Sequence, residues 1–584
     1  MAEFSKLVIT NKGQALLAKM IAGEGSVEFT KVSASSTAYT DAQLEGLISL
    51  SNVKQTSLIS KITRTNGVAI KVEAAFTNTE LTAGYYMKAL GLYAVDPDDG
   101  EILYAITRET SGNCYMPAYN GITVSGAYVQ LVTTVGNAEN VSLEVDQAAV
   151  ATIGDIQDLQ KQIADLEAFI GYSDEDIFGV EVDFVNKKFT RLSGAVNRTP
   201  GAAFDSINAF GGRKRCNVAD DGTVTAYYGD SGYTTTGKNA AGTPVQVMVE
   251  QPKFYYKVVP MVLEKGVKGM KIRKARYYVS DTLKPGFKVH PAFVENGNVN
   301  PYIYLAAFEG SLFDTSANAY ILDNAQVADF AADKLSSIAG AKPAGGDTQN
   351  LTRANTRLLA RKRGSGWEQA YAATAAASQL LMLIEYASFN MQTAIGNGNT
   401  EQSSSAANIQ YTGATVSLGN ASGAVTNANN IQLVSYRGEE NFWGNIWGWV
   451  DGMNEENPAT FESGDFGTLY VADHGFADDS KAAPYKNTGI HPVQGSGYVS
   501  AFGYSEEFDW LFIAVEYSGN NALPVGDYAW NNNSGWRVAI LGGCCNYGSH
   551  AGAFSWTLAD AASNRYWSIG GRLVYVPSKK TAAA

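Results

Sequence analysis

Two apolar, glycine-marked borders near the end of this 584-residue chain limit its fold more than any other feature. The first runs Trp536-Arg537-Val538-Ala539-Ile540-Leu541-Gly542-Gly543, and the second Ile569-Gly570-Gly571-Arg572-Leu573-Val574-Tyr575. Between them lie Cys544, Cys545, Asn546, Tyr547, Ser549, His550, Ser555, Trp556, Thr557, Asn564, Arg565, Tyr566, Trp567 and Ser568, broken up by Gly548, Ala551, Gly552 and Ala553. Aromatic rings supply wide contact with little rotamer entropy to lose, and small polar groups supply adaptable hydrogen bonds. The segment therefore reads as a binding surface held on a rigid frame. Tyr547, His550, Trp556, Tyr566 and Trp567 are its expected anchors, since aromatic side chains dominate interface energies.

Only 17% of residues are charged, while Gly reaches 59 and Tyr 32. That mix favours β-structure with long, turn-rich loops over helical bundles. The formal net charge of −13 argues against nucleic acid, whose phosphates demand clustered Lys and Arg. Arg213-Lys214-Arg215 and Arg361-Lys362-Arg363 are short and read as solvated turns. Four cysteines (114, 216, 544 and 545) make no disulfide framework. The opening Met-Ala-Glu-Phe-Ser-Lys lacks the layout of a signal peptide, and no apolar run reaches the roughly 18 residues of a membrane span. The expectation is synthesis in a cytoplasm, with work outside a cell only if carried on a particle.

The pattern along the chain predicts an α+β, β-rich protein. Residues 1–150 form a β domain with one helix over Asn11 to Ala22, capped by Thr10. Val27 with Phe29, and Ile70, Val72, Ala74 and Phe76, alternate as half-buried strands, and Asp98-Asp99-Gly100 marks a hairpin. Within 151–172, Ile156, Leu159, Ile163, Leu166 and Ile170 are spaced 3-4-3-4, the a/d seam of a short coiled coil. An amphipathic helix packed on its own domain has the same spacing, and Ile at a with Leu at d leans toward two strands. Residues 179–265 read as a β-rich subdomain and 266–584 as the terminal domain, with the polar-aromatic segment at 530–569. Ser365-Gly366-Trp367-Glu368 predicts a capping box opening a long helix to Ile395, closed by Gly396. Gly396 to Asn430 predicts a long surface insertion, and no internal repeat is present.

Leu7-Val8-Ile9-Thr10-Asn11-Lys12-Gly13-Gln14-Ala15-Leu16-Leu17, with Ala148 to Asp155, resembles the tail-collar fibre domain of tailed phages. The resemblance implies attachment to a baseplate through residues 1–155. Ser435-Tyr436-Arg437-Gly438, Asn441-Phe442-Trp443-Gly444-Asn445-Ile446-Trp447-Gly448-Trp449-Val450-Asp451-Gly452 and the Gly-Gly-Arg-Leu at 570–573 resemble the C-type-lectin-like fold of phage receptor-binding proteins. Retroelement-diversified variable proteins of the major tropism determinant type share that fold. Arg215 to Tyr228, Gln251 to Val259 and Pro285 to Pro291 look like such fibres too. In diversified members, positions between such glycine frames change. The matching ones here are Cys544, Asn546, Tyr547, His550, Thr557, Asp560, Asn564, Tyr566 and Ser568.

The Trp-Gly-Asn-Ile-Trp-Gly-Trp run also resembles formylglycine-generating enzymes, which share the fold. Those enzymes need a copper-binding cysteine pair separated along the chain, whereas Cys544 and Cys545 are adjacent. Trp443, Trp447 and Trp449 are expected to be core. His290, His474, His491 and His550 form no close pair, calcium-lectin motifs are missing, and Asp473-His474 and Asp478-Asp479 read as solvated loops. No phosphate loop or Gly-x-Ser-x-Gly occurs. Glu439-Glu440 and Glu506-Glu507 cannot be told from surface charge without geometry.

The expectation is a non-enzymatic virion tail fibre with no cofactor, no metal, no nucleic acid and no membrane insertion. It would bind a host-cell surface receptor, protein or glycan, and phage baseplate proteins, and fibre resemblance implies a homotrimer. The expected receptor-binding residues are Cys544, Asn546, Tyr547, His550, Trp556, Thr557, Asp560, Asn564, Tyr566, Trp567 and Ser568. The alternative is a fibre-borne enzyme that degrades a surface glycan.

Overall fold

A computed structural model describes residues 4–23, 27–64, 69–112, 114–119, 126–134, 162–163, 166, 172 and 174–577. The chain divides into two compact units, Met1–Gln160 and Lys161–Ala584. In the first, Val8–Ile9, Gly100–Arg108, Ala89–Asp96, Glu28–Ser35, Val53–Arg64, Ala69–Thr77 and Gly126–Thr134 form one sheet in that spatial order. The expected helix spans Asn11–Ile21, and the Thr10 hydroxyl accepts from Gly13 N–H at 3.1 Å. Gly13 is required there, because a Cβ would sit 2.1 Å from the Tyr104 carbonyl oxygen. The alternating residues Val27, Phe29, Ile70, Val72, Ala74 and Phe76 are all buried. Ala89–Asp96 pairs antiparallel with Gly100–Arg108 across the anticipated turn. Most of the Ile156–Ile170 seam, and Ala148 to Asp155, lie outside the described residues; Gln162, Ile163 and Leu166 are helical.

The second unit packs three large sheets around one helix. Lys188–Ser193, Ile177–Asp183, Met270–Ser280, Tyr255–Lys265 and Lys288–Val289 lie in order in one sheet. The Tyr255–Lys265/Met270–Ser280 hairpin crosses residues 265 and 266, so the structure does not divide at the boundary read from the sequence. A second sheet runs Val224–Tyr227, Lys214–Ala219, Val245–Pro252, Tyr302–Ala306, Leu573–Tyr575 and Trp367–Gln369. The third carries Trp447–Asn457, Gly535–Leu541, Trp556–Asp560, Tyr528–Asn531 and Gly495–Tyr498 among its strands. Helix Ala372–Tyr386 is buried from Ala372 to Glu385. Its Ala-rich first turns leave no large side chain to hold neighbouring strands apart.

That helix is shorter than the sequence implies. Trp367–Gln369 is a strand paired with Leu573–Tyr575, so the long helix does not start at Ser365. The Tyr371 N–H instead donates to Thr374 Oγ1 at 3.0 Å at the true start. Ala387 (φ 50°) ends the helix in the left-handed region, and a separate turn, Met391–Ala394, precedes Gly396. The Gly396–Asn430 insertion is also anchored more than expected, for Asn399, Thr400, Thr412 and Thr415 are buried. The Glu440 carboxylate accepts from Gly413 N–H, Thr415 N–H and Thr415 Oγ1, each at 2.7 Å.

Charge is used inside this unit rather than only around it. Arg213, Arg215 and Arg363, expected in solvated turns, are buried, as are Glu439 and Glu440. Arg213 pairs with Glu439, and Arg437 donates to both Glu385 carboxylate oxygens at 2.7 Å. In the most enclosed cluster, Arg357 makes a two-pronged contact with Asp451 at 2.8 and 2.6 Å. Arg353 Nε donates to Asp478 at 2.8 Å, which takes Asp478 out of the solvated loop anticipated for it. These bonds tie helix Arg353–Arg361 to strand Trp447–Asn457. Removing one partner of a buried pair strands the other's charge. Asp451→Ala is therefore expected to cost about 3–5 kcal/mol, measured by urea unfolding.

His290 is enclosed by the rings of Phe254, Tyr256, Phe293 and Trp510. Burial, with Lys288 a lesser cause, pushes its pKa down from 6.5 to about 3. The unfolded chain takes up this proton below pH 6.5, while the folded chain refuses it until about pH 3. Its contribution is thus whole above pH 6.5 and is lost as pH falls through that window, by at most about 1.4 kcal/mol per pH unit. Urea midpoints at pH 7 and pH 5 are expected to drop more for the natural chain than for His290→Leu.

Candidate functional site

The terminal segment lies on the outer face of the third sheet. Alternation along its strands sends Ala529, Ala539, Leu541, Trp556 and Leu558 into the main core. The opposite face carries Trp447, Trp449, Val538, Ile540, Cys544, Ala562 and Ile569 as a second cluster, with Trp530 and Tyr547 packed upon it. Both ends of the segment are fastened. Ile569–Gly570 pairs parallel with Trp447–Gly448, and Leu573–Tyr575 sits between Tyr302–Ala306 and Trp367–Gln369.

On this face, half-buried rings form a continuous row. Tyr498 lies 5.2 Å from Tyr528, Tyr528 4.6 Å from Trp530, and Trp530 5.5 Å from Tyr547. Tyr547 in turn meets the buried Trp447 edge-on at 5.2 Å. His550 covers Tyr528 at 4.2 Å and touches Tyr498 at 5.4 Å. Strand register explains the row: Tyr498 faces Tyr528, and Ser496 faces Trp530. Hydroxyls run beside it, with Tyr498 OH 2.7 Å from Ser549 Oγ and Tyr528 OH 3.4 Å from Ser496 Oγ. Burial alone lowers the His550 pKa from 6.5, keeping the imidazole neutral near pH 7.

The loop carrying Tyr547 and His550 is braced by polar contacts. Gly548 N–H donates to Thr400 O, and Gln402 N–H to Cys545 O, both at 2.7 Å. Gln392 Nε2 reaches the Gly548 and Ala551 carbonyls at 2.9 and 2.8 Å. Gly543 (φ 82°) is obligatory, since a Cβ there would lie 2.5 Å from Ala551 Cβ. Asp527 accepts from Phe554 N–H at 2.7 Å, and burial pushes its carboxyl well above the usual range.

Of the expected site residues, Asn546, Tyr547, His550, Asp560, Asn564, Trp567 and Ser568 are half-buried and Tyr566 is exposed. Cys544, Trp556 and Thr557 are corrections. Trp556 packs into the main core, Thr557 is buried between its strand partners Trp530 and Ile540, and Cys544 belongs to the second cluster. Cys544 and Cys545 occupy a turn with both side chains buried, and Cys544 Sγ donates to Asn546 Oδ1 at 3.0 Å. Asp560 accepts from Asn564 Nδ2 at 2.8 Å, and burial raises its pKa. Trp443, Trp447 and Trp449 are core as anticipated.

Tyr498, Tyr528 and Ser496 lie before the first glycine border, outside the segment that composition marks. Their signal is the period-two pattern Tyr528-Ala529-Trp530-Asn531 and Ser496-Gly497-Tyr498, polar or aromatic outward and buried inward. A separate cleft of about 230 Å³ is lined by Trp510, Phe508, Pro291 and Pro484. Its charged rim is paired internally, Lys486 with Glu507 and Asp473 with His474, each at 2.6 Å. Among the described residues, no group of three or more His, Cys, Asp or Glu could hold a metal ion.

No family model and no curated protein matches the chain. Among solved structures it is similar to the Major Tropism Determinant P3c, U1 and M1 variants, each at 12% identity and a TM-score of 0.21. The matches cover 62% of this chain and 71% of the P3c, 72% of the U1 and 71% of the M1 chain.

Burial separates side chains that hold the fold from those open to solvent. Trp556→Ala opens a cavity in the main core and is expected to cost about 3–5 kcal/mol. Tyr566→Ala, at a side chain 49% exposed, should stay within about 0.5 kcal/mol. Paired urea titrations of the two variants check the assignment.

Proposed function

We propose that this chain is a tail fibre of a phage or phage-like particle, adsorbing to a host-cell surface receptor through the outer face of its third sheet. The observation that carries the reading is the row Tyr498–Tyr528–Trp530–Tyr547 with His550, half-buried on a braced frame. Rings fixed in place and partly open to solvent bind a partner without a large ordering cost. The first unit, with its separate core, attaches the fibre to baseplate proteins, and the chain acts as a homotrimer in the virion. Several copies on one particle raise avidity by roughly 10²–10⁴ without new contacts. The site works by binding and not by catalysis. The segment between Gly542 and Gly570 is the part a diversifying retroelement would alter, and an imperfect DNA copy of codons 536–573 beside a reverse transcriptase gene would mark it.

Labelled full-length chain, incubated with a panel of bacteria, tests the reading. Tyr498→Ala with Tyr528→Ala is expected to lose about 2 kcal/mol or more of binding to the cells that the natural chain recognises. Unchanged adsorption by the folded double variant would place recognition elsewhere on the chain.

A further inference from the structure

Resting on the adsorption reading, we propose that the occupant of this ring row is an uncharged glycan, packed against Tyr498 and Trp530 and hydrogen-bonded by the flanking hydroxyls without calcium. The inference comes from what the row contains and what it leaves out. Its rings are Tyr, Trp and a neutral imidazole, with no Lys, Arg, Asp or Glu among them. Asp560 is the charge felt at the Tyr547 end, and no charged group enters the causes that shift His550. A phosphorylated or uronate-bearing polymer would meet no cation in the row, on a chain of net charge −13. Protein-binding hot spots draw on Arg beside Tyr and Trp. This row has the rings without the guanidinium.

The polar groups present match sugar chemistry. Each hydroxyl of Ser496, Tyr498, Tyr528 and Ser549 both donates and accepts, as a sugar hydroxyl does. The Tyr498–Ser549 and Tyr528–Ser496 pairs place these hydroxyls beside the rings. Among the described residues, the Trp530 indole N–H and the His550 ring nitrogens have no hydrogen-bond partner, leaving two donors and one acceptor for a ligand. The apolar C–H face of a pyranose covers an aromatic ring as another apolar surface would. Consecutive centroids are 5.2, 4.6 and 5.5 Å apart at interplanar angles of 76°, 42° and 82°, so the row offers ring edges as well as faces. Among the described residues, no group of three or more His, Cys, Asp or Glu could hold a metal ion, and the row itself offers hydrogen-bonding groups and ring surfaces.

The test uses full-length chain on bacteria that it adsorbs, pretreated with periodate to open vicinal diols, with proteinase K, or left untreated, each with and without EDTA. Periodate is expected to lower adsorption at least about tenfold, while protease and EDTA leave it within about twofold. Dialysed envelope polysaccharide from the same cells is expected to compete. Trp530→Ala should lower adsorption at least about tenfold, and Trp530→Phe should restore part of it. Tyr498→Ala, at the end of the row, serves if Trp530→Ala fails to melt cooperatively. Adsorption lost after protease but kept after periodate would overturn the glycan while leaving the ring row as the site. Abolition by EDTA would overturn calcium-free recognition. Folded ring variants that adsorb normally would instead bring down the adsorption surface itself.

Discussion

The ring row depends on one strand. Trp447–Asn457 pairs with Gly535–Leu541 on the side that leads into the terminal segment, and its first residues pair with Ile569–Gly570 where that segment returns. A segment fastened at both ends to the same strand cannot swing, so its loops need only local bracing. Gly542 and Gly543 provide the bend between the two attachments, with φ of 105° and 82°. Their left-handed conformations are favourable for glycine and strained for any other residue.

The same strand is held from below by charge. Asp451 lies at its centre, fully buried, and receives Arg357 from a helix that packs against the sheet. Burying ions is costly unless each is paired and hydrogen-bonded, so such a cluster fixes geometry more than it adds stability. Arg353 meets that requirement with bonds to Asp478, Asn454 and the Met453 carbonyl. An apolar contact would let helix and strand slide, whereas the two-pronged Arg357–Asp451 contact admits one register. The ring row above inherits that precision.

Much of the β-architecture was legible from local pattern. The Thr10 cap, the Asp98-Asp99-Gly100 hairpin and the alternation over Ile70–Phe76 depend on neighbours in sequence, and each stands where its spacing places it. The long helix was misjudged at both ends, because the Ser365–Glu368 pattern satisfies a capping box while strand pairing with Leu573–Tyr575 claims the same residues. Buried arginines were missed for a related reason. Arg213 and Arg215 carry no local mark of their distant partners, Glu439 and the Gly438 carbonyl. In the site, composition located the segment but not its sidedness: Trp556 and Trp567 look alike in sequence, and strand parity buries the first. Tyr498 and Tyr528 join the row only through a strand register that no local window reveals.

Sidedness also limits how this surface can evolve. A substitution at Tyr528, His550 or Tyr566 alters a side chain at least partly open to solvent, while one at Cys544, Trp556 or Thr557 is felt first by the fold. Proteins sit a few kcal/mol above the threshold for remaining folded, so changes of the second kind exhaust tolerance quickly. The surface's usable alphabet is therefore smaller than its length, and concentrated on the outward parity of Tyr528–Asn531 and the Tyr547–His550 turn. Exchange of rings and hydroxyls there leaves the floor of Trp447, Trp449 and Ile540 in place.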